Sequence, residues 1–209
     1  MANAITPVPA DPFSFPLPLF GMIRIGTLTS RDNEEFSVWI GADKETVAKL
    51  KEKSLDTADT DIQENTSDRE RFGEGSYEDW YAKDRTPFTL LAPDGSLAAF
   101  AWFGPKPLGR PSLKYLTEEE RAKESEQKED VWHTLVYRSY APYRGKGLMT
   151  DFVRFATDEY KKHYPDAKFW VGMSADNAGS AALATKLGYI RRDDLFDAEK
   201  HWIAMTLES

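Results

Sequence analysis

The sequence predicts one mixed α/β domain in which a mostly antiparallel sheet is flanked by helices. Three observations carry this prediction. Apolar, β-prone runs fill much of residues 22–40 and 87–103, the pattern of antiparallel strands joined by turns. From Val131 onward, strand-like and helix-like periodicities alternate in the order strand, helix, strand, helix, strand, strand. Finally, Tyr143-Arg144-Gly145-Lys146-Gly147-Leu148-Met149 joins the first of these strands to the first helix. Two glycines around one lysine leave main-chain N–H groups free to turn toward one anion, where the helix dipole adds positive potential.

The 209 residues contain no repeat and no interdomain linker. One domain of that size can bury roughly 70% of its unfolded surface. Residues 1–20 form a Pro-rich arm, with Pro7, Pro9, Pro12, Pro16 and Pro18 set among Phe13, Phe15 and Phe20, a composition that forbids helix and favours extended chain. Residues 21–209 make up the domain itself. Met22–Leu28 and Glu35–Ile40 read as a hairpin or as a strand followed by a short helix, with Ser30-Arg31-Asp32-Asn33 supplying turn chemistry. Asp43–Lys53 is a helix candidate. The acidic stretch Asp56–Asp79 reads as a solvated loop and helix, or as a face that attracts a cation.

Pro87–Ala92 and Leu97–Phe103 flank Pro93-Asp94-Gly95-Ser96 and form a hairpin. Thr117–Asp130 reads as an exposed helix capped by Thr117. Val131–Ser139 is a strand. Leu148, Phe152, Phe155, Ala156 and Tyr160 then recur at helical spacing through His163. Lys168–Met173 is a short strand, Asn177–Leu187 a helix stopped by Gly188, and Tyr189–Arg192 and His201–Leu207 are closing strands.

Composition narrows the function. With 41% hydrophobic and 13% aromatic residues the chain is a globular protein and not a disordered one. A net charge of −8 argues against a broad contact surface for nucleic acid. No run approaches the roughly 20 apolar residues of a membrane span, and the N-terminus lacks the pattern of a signal peptide, so a cytoplasmic location without membrane contact is expected. The chain has no cysteine, which removes disulfides, thiolate nucleophiles and Cys-ligated zinc. His133, His163 and His201 match no metal-ligand spacing, so no metal is expected.

At Arg144-Gly145-Lys146-Gly147-Leu148-Met149 the chain resembles the acyl-CoA-binding motif of the GNAT superfamily of N-acetyltransferases, Gln/Arg-x-x-Gly-x-Gly/Ala. Asn177, Ser180, Leu183, Lys186, Gly188 and Tyr189 follow that family's later pattern at matching spacing. The resemblance covers roughly Val131–Leu207. It departs at Met149, where Gly or Ala is usual, and at Ala184, where many members carry a Tyr proposed to protonate the departing thiolate.

The resemblance implies a GNAT-like fold, acetyl-CoA as cofactor, and an amine of a small molecule or peptide as acceptor, with a homodimer as a compatible assembly. It implies that Arg144, Gly145, Lys146, Gly147, Leu148 and Met149 cradle the pyrophosphate. A bulged stretch Tyr137-Arg138-Ser139 would hold the pantetheine arm. Asn177, with Ser180, would contact that arm or bound water, or Asn177 would simply cap its helix.

Acetyl transfer needs a neutral amine. An alkyl ammonium of pKa about 10.4 is neutral about once in a few thousand at pH 7, a deficit of roughly 4.6 kcal/mol. His133, on the strand entering the glycine loop, is the expected general base, with a packed histidine as the alternative. Tyr137, Tyr140, Tyr143 and Tyr189 are the candidate acids in place of the residue lost at Ala184. Trp39, Trp80, Tyr81, Trp102 and Phe103 either line the acceptor pocket or pack the core. A non-catalytic acyl-CoA-binding module is the competing reading.

Overall fold

The computed structural model describes residues 5–122 and 131–207. Its strands are β1 (Ile5–Pro7), β2 (Met22–Thr29), β3 (Glu35–Gly41), β4 (Thr86–Leu91), β5 (Leu97–Pro105), β6 (Trp132–Ser139), β7 (Lys168–Ser174), β8 (Tyr189–Asp197) and β9 (Trp202–Leu207). All belong to one open sheet in the order β1-β2-β3-β4-β5-β6-β7-β9-β8. The helices are α1 (Lys44–Leu55), α2 (Thr60–Asn65), α3 (Tyr77–Tyr81), α4 (Glu118–Ala122), α5 (Met149–His163) and α6 (Ala178–Lys186). A π-helical turn spans Arg69–Gly73 and a 3-10 turn Leu113–Tyr115.

Among the described residues, β6 and β7 are the one parallel pair, because α5 carries the chain back across the sheet between them. β5 reads Leu-Ala-Ala-Phe-Ala-Trp-Phe-Gly without a polar residue and is buried along this length. The reason is a sheet covered on both faces, which leaves no solvent side for alternation to mark. Ala99, Ala101 and Phe103 join the core beneath α5, with Phe152, Val153, Ala156 and Tyr160. Phe100 and Trp102 face the other way, onto Leu50, Ile62, Phe72, Tyr77 and Trp80.

Most elements match the sequence reading, and the differences have local causes. The open reading of residues 22–40 resolves as a hairpin, paired from Met22 with Gly41 to Thr29 with Glu35. Helix α1 begins at Lys44 because Asp43 is its cap, Oδ1 accepting from the Thr46 N–H at 2.8 Å. β8 runs on to Asp197 where the sequence marked only Tyr189–Arg192, since five charged residues hide its period on the exposed edge strand. Of the charged helix expected over Thr117–Asp130, Glu118–Ala122 is helical and residues 123–130 lie outside the described residues.

The arm contributes more than cover. Ile5–Pro7 adds an edge strand against Gly26–Leu28. Phe15 then packs on Tyr160 and His163 of α5, with ring centroids 5.9 and 4.2 Å apart respectively. Farther on, the Leu17 carbonyl accepts from the Tyr81 hydroxyl at 2.6 Å.

Candidate functional site

The junction from β6 to α5 turns through two glycines and presents open main-chain N–H groups. Gly145 and Gly147 both sit at φ 78°, a left-handed conformation that side chains disfavour. Among the described residues, the N–H groups of Gly145, Lys146, Gly147 and Leu148 donate to no protein acceptor. Leu148 occupies the N-cap of α5 without a side-chain cap, which leaves the first-turn amides of the helix open to a ligand.

The tip of the β2–β3 hairpin folds over this loop. Lys146 pairs with Glu34, which directs its side chain away from the cleft and leaves its main chain to the loop. Arg31 lies across Gly147 so closely that a Cβ there would stand 2.7 Å from the guanidinium Nε. Arg144 ties the loop down: Nε donates to the Ser139 carbonyl at 3.0 Å, and Nη2 lies 2.7 Å from Asp59 and 3.4 Å from Asp61. Sequence reading missed Arg31, because its segment carries only turn chemistry and its proximity to the loop is a tertiary fact.

β6 leaves one of its edges unpaired. It is hydrogen-bonded to β5 in unbroken register from His133 with Pro105 to Ser139 with Ala99. Its pairing with β7 covers only Trp132–Thr134. The bulge expected at Tyr137-Arg138-Ser139 is therefore absent on the β5 side. Divergence of β7 is what frees the alternate peptide groups beyond Thr134, and these backbone groups need a partner.

A cleft of about 710 Å³ occupies this gap and reaches the glycine loop, lined by Tyr137, Arg138, Ser139, Arg144, Gly145, Gly147, Leu148, Met149, Asn177 and Ser180 among others. Of the residues expected to bind cofactor, only Lys146 is not on its wall. Arg31, Arg144 and Lys186 line the cleft as well, with Asp61 as the carboxylate on that wall.

Neighbouring strand residues point to opposite faces, and here both faces reach the cleft. On the α6 side, the Tyr137 hydroxyl donates to the Ser180 carbonyl at 2.9 Å and accepts from Ser180 Oγ at 3.3 Å. Burial pushes the Tyr137 phenol up to about 12, so it stays protonated at neutral pH. Asn177 is the helix cap, its Oδ1 accepting from the Ser180 N–H at 2.9 Å, and it also lines the cleft. Ala184 is fully buried in the core and brings no polar group.

On the α1 side, Arg138 pairs with Asp68, which lies 3.1 Å from Arg71. Asp68 has no exposed side-chain surface. The acidic stretch thus supplies partners to arginines: Asp59 and Asp61 to Arg144, Asp68 to Arg138 and Arg71, and Glu74 to Arg69.

His133 lies elsewhere. It is buried on the α5 face, with Nδ1 2.7 Å from the Tyr160 hydroxyl and its ring among Tyr160, Tyr164 and Phe169. It does not line the cleft, which leaves the base role expected for it without a place beside the glycine loop. Trp80, Trp102 and Phe103 are core residues. Trp39 donates to Ser37 Oγ at 2.8 Å, and none of the five candidate aromatics borders the cleft. Among the described residues no group of three His, Cys, Asp or Glu side chains is placed to hold a metal. Among the described residues no helix is long and apolar enough to cross a membrane.

No curated protein matches the chain in sequence. Among solved structures it is similar to the GNAT domain of PAT from S. lividans, at 12% identity over 88% of this chain and 96% of that one, with a TM-score of 0.59. It is similar to an acetyltransferase from Agrobacterium tumefaciens, at 11% identity, 95% and 99% coverage and a TM-score of 0.57. The ribosomal-protein-S5-alanine acetyltransferase of Vibrio fischeri follows at 11% identity, 81% and 91% coverage and a TM-score of 0.52. At these identities the likeness is one of fold. Residues 54–189 match the model of one family, and that span includes both the glycine loop and the gap beside β6; the chain belongs to the acetyltransferase (GNAT) family.

Proposed function

We propose that the chain is an N-acetyltransferase that moves an acetyl group from acetyl-CoA to a primary amine of a small molecule or peptide, by direct transfer in a ternary complex. The observation that carries this reading is the continuity of the cleft, from the open amides of the glycine loop, along the unpaired edge of β6, to the opposite face at Arg138.

The residues fit the donor. Gly145, Lys146, Gly147 and Leu148 offer main-chain N–H groups to a pyrophosphate, with Arg31 and Lys186 adding positive charge. The free edge of β6 offers peptide groups to an amide-bearing arm. Acetyl-CoA would supply an acyl thioester, whose C–S bond breaks as the C–N bond to the amine forms, the ammonium giving one proton to sulfur and one to solvent.

Tyr137 replaces the acid missing at Ala184. It holds its proton at Oη, one helical turn before Ala184 through its bond to Ser180. A phenol near 12 facing a thiol of about 8.5 cannot release that proton fully, the difference being roughly 5 kcal/mol. Its role is a hydrogen bond to the developing charge on sulfur, made as the hydroxyl turns from the Ser180 carbonyl. Among the described residues lining the cleft there is no His or Glu, and Asp61 is paired with Arg144. Water carries the amine proton away.

The test is incubation with acetyl-CoA and a panel of amines, following free thiol and the mass of each amine. An amine that gains an acetyl group with stoichiometric thiol supports the reading. Binding of acetyl-CoA with no amine modified supports a non-catalytic acyl-CoA-binding module instead.

A further inference from the structure

The glycine loop has few bonds of its own, and a neighbouring turn supplies part of what holds it. Among the described residues the N–H groups from Gly145 to Leu148 donate to no protein acceptor, so bonding within the loop does not fix where they point. Their direction depends on the side chains just before them. Arg144 is one anchor, on the Ser139 carbonyl and on Asp59. Tyr143 is the other, its ring standing edge-on to Phe36 with centroids 5.6 Å apart.

The Tyr143 hydroxyl lies 2.6 Å from Ser96 Oγ, in the turn between β4 and β5, and Ser96 Oγ is bonded in turn to Asp94 Oδ1. Valence sets the direction of this chain. The Ser96 hydroxyl and N–H hold the Asp94 carboxyl below the usual carboxylate range, so at neutral pH it is ionised and only accepts. Ser96 gives its one hydroxyl proton to Asp94, and the Tyr143 O–H therefore donates to Ser96. Ending on a charged acceptor strengthens both bonds.

The turn itself is braced. The Ala92 N–H donates to the Ser96 carbonyl and the Gly95 N–H to the Ala92 carbonyl, both at 2.9 Å, and Lys49 of α1 donates to the Gly95 carbonyl at 2.8 Å. Lys146 and Glu34 make a third tie, but their side chains are 25% and 44% exposed, and a pair so open to water contributes little. Ser96 is not on the wall of the cleft, so it acts on a ligand there only through Tyr143, which is.

We propose that Ser96 is a positioning residue for the donor: through Tyr143 it holds the glycine loop in the shape that aims its amides at one anion. The proposal rests on reading that loop as the cradle of acetyl-CoA. A loop ordered in advance loses less conformational freedom when the donor binds. Loss of the anchor therefore weakens donor binding and leaves the chemical step as it was.

The test compares the full chain with Ser96→Ala and Ser96→Thr. In the ligand-free proteins, backbone ¹⁵N order parameters for residues 145–148 should be about 0.85 in wild type and in Ser96→Thr, and below about 0.6 in Ser96→Ala. Calorimetric affinity for acetyl-CoA should fall about 5–10-fold in Ser96→Ala and recover in Ser96→Thr, one hydrogen bond being at stake. With an acetylated amine, KM for acetyl-CoA should rise by the same factor while kcat holds within about twofold. A loop as ordered in Ser96→Ala as in wild type overturns the proposal, as does a loop already mobile in wild type or an affinity that Ser96→Ala leaves unchanged. Wild-type protein that binds no acetyl-CoA overturns the donor reading alone, because the order parameters still decide what Ser96 holds.

Discussion

The Tyr137 hydroxyl donates to the main-chain carbonyl of Ser180 at 2.9 Å, and so a strand residue holds a phenol against α6 one turn before Ala184. General acid catalysis contributes about 10²–10⁴-fold where the leaving group is poor. A thiol is a better leaving group, so Tyr137→Phe should lower kcat by about 10–100-fold. Calorimetric affinity for acetyl-CoA should change less than about fivefold, since one hydrogen bond within the protein is worth about 1 kcal/mol. An unchanged kcat would remove Tyr137 from the chemistry.

The two loop glycines share φ 78° and differ in surroundings. A Cβ on Gly145 would meet nothing within 4 Å, whereas one on Gly147 would displace Arg31. Gly145→Ala should cost about 1–2 kcal/mol of backbone strain. Gly147→Ala adds loss of the Arg31 position to the same strain, and its acetyl-CoA affinity should be roughly tenfold below that of Gly145→Ala, one charge-assisted contact being worth about 1.5–3 kcal/mol. Titration of both variants with acetyl-CoA checks the order.

Asp68 is the shared partner of Arg71 and Arg138. Removing one member of a buried ion cluster typically costs about 3–5 kcal/mol. For a chain of this size Asp68→Ala should lower Tm by roughly 6–20 °C. Thermal melts followed by circular dichroism measure this directly.

His133 is bonded to Tyr160 in the core beneath α5. His133→Gln should therefore lower Tm and leave the shape of the pH–rate profile unchanged. In both proteins kcat/KM should climb through neutral pH with the acceptor amine and show no bend near the usual histidine value of about 6.5. A bend there that disappears in the variant would restore His133 as the base.

Burial raises the phenols of Tyr77, Tyr137, Tyr140, Tyr160 and Tyr189 above their ordinary value. A group whose folded pKa is raised contributes stability that is full below the unfolded value, here about 10, and is lost as pH rises toward the folded one. Stability should thus fall above pH of about 10. Phenolate absorbance should rise together with the loss of circular dichroism, and phenolate appearing well before unfolding would contradict this.

The glycine loop and the elements after it were legible because local signals agree there. Gly145 and Gly147 mark a turn that needs positive φ, and Asn177 marks a cap three residues before the N–H it accepts. The unpaired edge of β6 was anticipated in position and not in cause, since a bulge is local and the divergence of β7 is not. His133 was misplaced because it shares the Tyr137 face but stands where β6 is still paired with β7, and the point at which β7 diverges is a tertiary fact. The arginine partners of Asp59, Asp61 and Asp68 were out of reach, as Asp68 and Arg138 stand 70 positions apart. A run of acidic residues reads as solvated until its tertiary partners are known.

Hydrogen exchange with and without acetyl-CoA tests the central claim most directly, namely that the glycine loop and the free edge of β6 together hold the donor. Protection should appear at residues 144–151 and 135–139, and exchange at Phe169 and Tyr160 on the far side should stay as it was. Saturating acetyl-CoA that leaves residues 135–139 and 144–151 unprotected would contradict the account.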